Sequence, residues 1–108
     1  DGIIGVVPFC AFLKTGWKKG DTRTGITLET LAAHVDHICQ MAGDARHVGL
    51  GTDFDGGFGL NSVPAGIDTI ADLQKLGPIL EMKGYKDEEV AAIFGANWLR
   101  HLRTYLPA

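Results

Sequence analysis

An α/β fold built on parallel strands is what the sequence predicts, from three observations. Ile3-Ile4-Gly5-Val6-Val7 is a continuous apolar run, largely β-branched, of the kind a parallel strand buried on both faces requires. Residues 27–43 carry apolar side chains at helical spacing. A second strand-like run over His47–Thr52 stops abruptly at two carboxylates and two glycines, Asp53, Asp55, Gly56 and Gly57. Strand, loop, helix, strand makes a single right-handed βαβ unit.

Each element follows from its residues. Pro8 limits the first strand, and Cys10 sits in its apolar context. Residues Lys14–Thr27 are rich in Gly, Lys, Thr and Asp without a clean period, so they read as a surface loop carrying an exposed Trp17 that packs on the rim rather than serving as a lid. The helix repeats Leu28, Leu31, Val35, Ile38 and Met41 or Ala42 on one face, with Thr27 placed to cap its start and Gly43 its end. In the second strand Val48 and Leu50 are strand formers, Gly49 and Gly51 admit close backbone neighbours, and Gly56-Gly57 allow a sharp exit. Phe58–Ile67 reads as a loop. Beyond it Pro78 suits a first helical turn, Gly84 an end, Asp87 a cap with Glu88 and Glu89 behind it, and Gly95 a break. Val90, Ile93, Phe94, Trp98, Leu99, Leu102 and Leu106 then form an apolar face that needs something to pack on.

Asp53 stands where chemistry is built in parallel α/β barrels, at the C-terminal end of a strand. Composition alone reads the same residues as a plain turn, since Asp and Gly are ordinary turn formers. His34 and His37 are three apart and neighbours on the helix, but no third ligand completes a metal site there, so they read as structural histidines. His47 would lie at the wrong face for catalysis. An apolar fraction of 45% with 21% charged residues excludes disordered and fibrous classes. The net charge of -3 offers no basic footprint, and Lys14, Lys18 and Lys19 are only a local cluster, so no nucleic-acid partner is expected. No segment spans a membrane. Cys10 and Cys39 read as buried thiols rather than as a disulfide framework.

The segment His47-Val48-Gly49-Leu50-Gly51-Thr52-Asp53-Phe54-Asp55-Gly56-Gly57 resembles the signature near the end of the zinc-dependent renal or membrane dipeptidases. His34-Val35-Asp36-His37-Ile38 lies upstream at that family's spacing, Val63-Pro64-Ala65-Gly66 resembles its proline-containing loop, and Gly95-Ala96-Asn97-Trp98-Leu99-Arg100 resembles its GxNxLR segment. The resemblance covers nearly the whole chain. It implies that residues 1–108 are the C-terminal part of one dipeptidase barrel domain, a portion of a TIM-like (β/α)8 barrel of the metal-dependent hydrolase type with about two parallel strands plus helices. A complete barrel takes roughly 250 residues. The start at Asp1, without an initiator Met, likewise reads as a piece of a longer chain.

The resemblance also implies the chemistry. In such enzymes two zinc ions, bridged by a carboxylate and a hydroxide, attack the peptide bond of a dipeptide, lowering the pKa of the water and polarising the carbonyl. The family's metal ligands are an HxD pair, a bridging Glu and two further histidines, all upstream of this part, so the metal ligands expected in this chain are none. By similarity Asp53 is the catalytic residue: it accepts the proton of the attacking water, passes it to the leaving amine and helps hold the substrate's amino end. Asp55 and Gly56 support the loop or its surroundings. Phe9 stands near the substrate where the family usually carries a polar or Tyr residue that contacts the substrate carboxylate; without a hydroxyl that contact is lost, which leaves room for altered substrate preference.

Two further readings stand beside the dipeptidase. One is another amidohydrolase-like barrel hydrolase, a deacetylase or cyclic amidase, since those also end a late strand in a metal-linked Asp. The other is a non-catalytic fragment, inactive without the missing strands. Two parallel strands and one covering helix leave sheet edges open, so the chain is expected to need the remainder of the barrel or a companion chain, or to self-associate as a homo-oligomer.

Overall fold

The computed structural model describes residues 1–107. The first apolar run becomes strand β1, Ile4–Val6, and the run before the acids becomes β2, Val48–Leu50. They pair in parallel, Ile4 opposite Val48, Gly5 opposite Gly49 and Val6 opposite Leu50. The His47 carbonyl accepts the Ile4 N–H at 2.8 Å and the Val6 carbonyl accepts the Gly51 N–H at 3.0 Å. Odd-numbered residues of β2 therefore bond to β1, and the carbonyls of Val48 and Leu50 point to the opposite edge of the sheet.

The expected crossover helix is α2, Leu28–Ala42, preceded by a short α1, Cys10–Leu13. Both α2 ends are built as their residues suggest. The Thr27 N–H donates to Thr30 Oγ1 at 3.0 Å, and Gly43, in the left-handed region at φ 86°, returns its N–H to the Cys39 carbonyl at 2.9 Å. Leu28, Leu31, Ala32, Val35 and Cys39 form the buried stripe. Each large apolar side chain removed from water there contributes about 1.5–3 kcal/mol, which is what holds α2 on the sheet. Met41 and Ala42, either of which is expected to extend that stripe, are both exposed, Met41 at 77%, and Ile4 is 58% exposed. One helix cannot cover both strands and both faces, so Ile4, Ile38 and Met41 line an open apolar groove instead of a core, and β1 is not buried on both sides.

Several local expectations are corrected. Cys10 opens helix α1 rather than lying in a strand, and its thiol is buried and pushed up in pKa by that burial, as is that of Cys39. Trp17 is buried, at 8% exposure, because its indole N–H reaches the Thr22 carbonyl at 3.0 Å and its ring meets Phe9 edge-on. The segment after β2 is not all loop: it contains a 3-10 turn at Leu60–Ser62. A second 3-10 segment, Ile70–Lys75, runs into α3, Leu76–Met82, with Pro78 in its first turn.

Gly84, at φ 101°, ends the α3 region. Helix α4, Asp87–Ala91, is capped by Lys86 rather than Asp87, since the Lys86 N–H donates to the Glu89 carboxylate at 2.9 Å and Asp87 is already helical. Gly95 is the break the sequence marks: its backbone is non-helical, at φ 177° and ψ -28°, and it kinks the wide turn Ala92–Ala96 ahead of α5, Asn97–Tyr105. Ile93 is fully buried under this turn, whereas Leu99, Leu102 and Leu106 stay about half exposed.

One hydrogen bond ties α2 to the far end of the chain. The Tyr85 hydroxyl donates to Asp36 Oδ1 at 2.6 Å. That bond holds the Asp36 carboxyl below its ordinary range, while burial, followed by the same bond, raises the Tyr85 hydroxyl.

Candidate active site

Asp53 lies just beyond β2, exposed, with φ 53°, and Asp55 follows at φ 69°. They are the non-glycine residues with positive φ among those described. Asp tolerates that conformation better than most residues, but each such position still costs on the order of 1 kcal/mol and persists where the surroundings impose it. The turn imposes it here: the Asp53 carbonyl accepts the Gly56 N–H at 2.9 Å, so residues 53–56 close on themselves. Gly56 is needed for space. A Cβ built on it would lie 2.6 Å from Asp53 Cγ, inside contact distance of the carboxylate. The strand thus delivers Asp53, the turn reverses immediately, and Gly56 leaves room for its carboxylate to face solvent. An exposed carboxylate at a strand exit can accept and return a proton.

The loops leaving β1 and β2 are bound to each other. Arg23, from the first, donates through Nη1 to the Leu60 carbonyl at 3.0 Å and reaches the Val63 and Pro64 carbonyls at 3.4 and 3.5 Å. Its Nη2 meets Asp68 Oδ1 at 3.4 Å. The Ala65 N–H donates to the Ile26 carbonyl at 2.7 Å, and Thr27 and Ala65 form a parallel bridge. Phe9 completes the contact, its ring 4.8 Å from that of Phe58 across the two loops and 5.0 Å from Phe12. It is partly buried among aromatic rings, with no hydroxyl to offer a carboxylate.

The final helix positions the strand that carries the acid. Asn97, fully buried, donates through Nδ2 to the Ala45 carbonyl at 2.7 Å and the Val48 carbonyl at 2.8 Å. Its Oδ1 accepts from Arg100 Nη1 at 2.9 Å, and Arg100 Nη2 reaches the Arg46 carbonyl at 2.7 Å. The Trp98 indole N–H donates to the Leu50 carbonyl at 3.1 Å. Asn97 and Trp98 therefore occupy the β2 edge that faces away from β1. The sequence marks Trp98 as part of an apolar face and Asn97 only within a motif; the signal available for Asn97 is a polar side chain in that otherwise apolar helix. Arg23 carried no comparable signal, because its partners lie 37 to 45 residues away.

Two of the histidines pair with backbone carbonyls. His34 Nε2 pairs with the Leu13 carbonyl at 3.2 Å, and His47 Nδ1 with the Gly2 carbonyl at 2.9 Å. Among the described residues no three His, Cys, Asp or Glu side chains converge as metal donors, so the residues present do not fit a zinc site. No helix among them is long and apolar enough to cross a membrane.

A family model described as membrane dipeptidase (peptidase family M19) matches residues 1–105. The chain is 33% identical over 104 residues to an uncharacterized dipeptidase of Schizosaccharomyces pombe, covering 96% of this chain and 23% of that protein. It is 32% identical over 102 residues to an uncharacterized protein of the pqqA 5′ region of Klebsiella pneumoniae, covering 94% and 35%, and 33% identical over 89 residues to the dipeptidase verJ of Clonostachys rogersoniana, covering 82% and 22%. Among solved structures, an amidohydrolase from Pseudomonas aeruginosa matches with a TM-score of 0.71 and 28% identity, over 94% of this chain and 35% of that one. The chain spans roughly a quarter to a third of the length of these relatives.

Proposed function

From the premise that the chain belongs to the membrane dipeptidase family, we propose that it supplies the last catalytic strand of a metal-dependent barrel hydrolase that cleaves dipeptides, with Asp53 as the group that moves the proton. The observation that carries this reading is Asp53 itself: an exposed carboxylate at a parallel strand's exit, held at φ 53° over a glycine that cannot be enlarged. In the reaction a water oxygen bonds to the peptide carbonyl carbon and gives its proton to Asp53. The C–N bond breaks, and Asp53 returns the proton to the departing amine. Asp55 and Gly56 shape the turn, and Phe9 belongs to the wall of the mouth.

In this reading residues 1–108 form one part of a single (β/α)8 domain, and the zinc ligands come from outside the chain. The isolated chain is then catalytically silent and works beside further strands, supplied by the remainder of a barrel or by a companion. Native mass spectrometry with a dipeptide assay tests this. A metal-free 11.6 kDa species, or multiples of it, without activity is expected of the chain alone, and a larger complex carrying two zinc ions should hydrolyse dipeptides. Chelator-sensitive hydrolysis by the chain alone overturns the division of labour. Release of acetate from N-acetyl amino acids, with no cleavage across a dipeptide panel, overturns the substrate and favours the wider amidohydrolase reading, in line with the similarity to the Pseudomonas amidohydrolase.

A further inference from the structure

One guanidinium ties together the two loops that leave the C-terminal ends of β1 and β2. Arg23 belongs to the first loop, with 27% of its side chain exposed. Its Nη1 lies 3.0, 3.4 and 3.5 Å from the Leu60, Val63 and Pro64 carbonyls of the second, and its Nη2 meets Asp68. A guanidinium suits this task because it is permanently charged, carries five N–H donors in a rigid plane and has no acceptor to repel a carbonyl. The ion pair is the lesser part of the clamp, since Asp68 is 68% exposed and water screens its attraction.

The clamp acts on the residues just before it. Residues 53–56 close on themselves through the Gly56 N–H and the Asp53 carbonyl, and residues 60–64 are held by Arg23. Between these anchored points runs only Gly57-Phe58-Gly59. Gly57, at φ 96°, leaves that backbone free to turn, so the place of Phe58 is set from both ends. The Phe58 ring rests 4.8 Å from that of Phe9, at the start of the first loop. The bond from Ala65 to the Ile26 carbonyl anchors the far side of the second loop and does not reach this span.

We propose that Arg23 is a positioning residue of the mouth: it holds the loop after β2 so that Phe58 stays against Phe9 and the substrate meets one fixed wall. The substrate comes from the dipeptidase reading, on which the inference rests; the clamp comes from the geometry alone. Asp53 stands apart from it, because its turn closes without Arg23. Loss of Arg23 therefore weakens substrate binding and spares proton transfer.

The first readout is the backbone order of the isotope-labelled chain. Residues 57–63 should show order parameters near about 0.85 in the wild type and below about 0.6 in Arg23→Gln, with Gly56 and helix α2 unchanged. Arg23→Lys should fall between them, since an ammonium cannot span three carbonyls and a carboxylate. Asp68→Asn should leave the loop as it is. The second readout is steady-state kinetics of the assembled enzyme. Arg23→Gln should raise KM about tenfold, because binding must then order the loop, while kcat stays within about twofold and keeps its pH profile.

Wild-type order at residues 57–63 in either Arg23 variant overturns the proposal, and Arg23→Lys supplies that test if Arg23→Gln does not fold. Asp68→Asn loosening the loop as much as Arg23→Gln overturns the carbonyl clamp, and a fall in kcat at constant KM overturns the positioning role. The two readings fail separately. A loosened loop in an assembled enzyme that cleaves no dipeptide refutes the activity and keeps the clamp, and dipeptide cleavage with unchanged loop order and KM refutes only the clamp.

Discussion

The Trp98 indole occupies the space that any side chain at position 49 would need: a Cβ built on Gly49 would lie 2.8 Å from Trp98 Cε2. The same ring approaches Gly5, where a built Cβ would stand 3.4 Å from Trp98 Cζ2, so one aromatic side chain spans both strands on the face away from Val48 and Leu50. Gly49→Ala should therefore destabilise the fold by about 1–3 kcal/mol through overpacking. Adding Trp98→Leu should recover part of that loss, as read from urea denaturation of the single and double variants. Additive losses in the double variant would refute the contact.

Asn97 should be the least replaceable polar residue of the last helix. Truncation to Ala leaves the Ala45 and Val48 carbonyls without a donor in a buried site, each at a cost of about 1–3 kcal/mol if water cannot replace it. Asn97→Asp should be worse, because it presents acceptors to acceptors. Thermal melts of the two variants order them.

Tyr85→Phe removes the bond that holds Asp36 ionised, and should cost about 0.5–1.5 kcal/mol at neutral pH. The sign with pH follows from the two shifts. Asp36 is lowered in the folded state, so its contribution is complete above the ordinary carboxyl value near 4 and fades as pH falls through the lowered one. Tyr85 is raised, so its contribution is complete below about pH 10 and fades above it as the unfolded chain's tyrosine ionises. Stability curves of the wild type and the variant should thus converge at both extremes of pH, and parallel curves would contradict the assignment.

In the assembled enzyme Asp53→Asn should lower kcat by about 10²–10⁴-fold. Gly56→Ala should also depress kcat, since its methyl group displaces the Asp53 carboxylate. Asp53→Gly should separate function from stability: it abolishes proton transfer while relieving a left-handed residue, raising the unfolding free energy by up to about 1 kcal/mol. Steady-state kinetics and denaturation on the same three variants check both halves.

What could be read in the sequence was whatever local pattern determines. The helix from Leu28 to Ala42 was legible because its stripe, its Thr27 start and its Gly43 end all lie within a few residues of one another. The parallel strand pair was legible from two apolar runs on either side of that helix. The exit turn was legible as a position, but the left-handed backbone of Asp53 and Asp55 was not, since Asp allows both regions and the turn decides. Trp17 misled because a lone aromatic in a polar loop says nothing of the Thr22 carbonyl and Phe9 ring that enclose it. Arg23, Tyr85, Asn97 and Trp98 act across 37 or more residues, where spacing carries no information about who meets whom.

The side chains of Asn97 and Trp98 on the outer carbonyls of β2 give the sheet a direction of growth. On the β1 side, Ile4 is 58% exposed and an apolar groove stands open beside it. A strand arriving beside β2 must first evict an indole and an amide from the carbonyls of Val48 and Leu50. In the proposed barrel, growth on the β1 side would therefore meet less resistance than growth at the β2 edge, where the same two side chains also oppose edge-to-edge pairing of two copies.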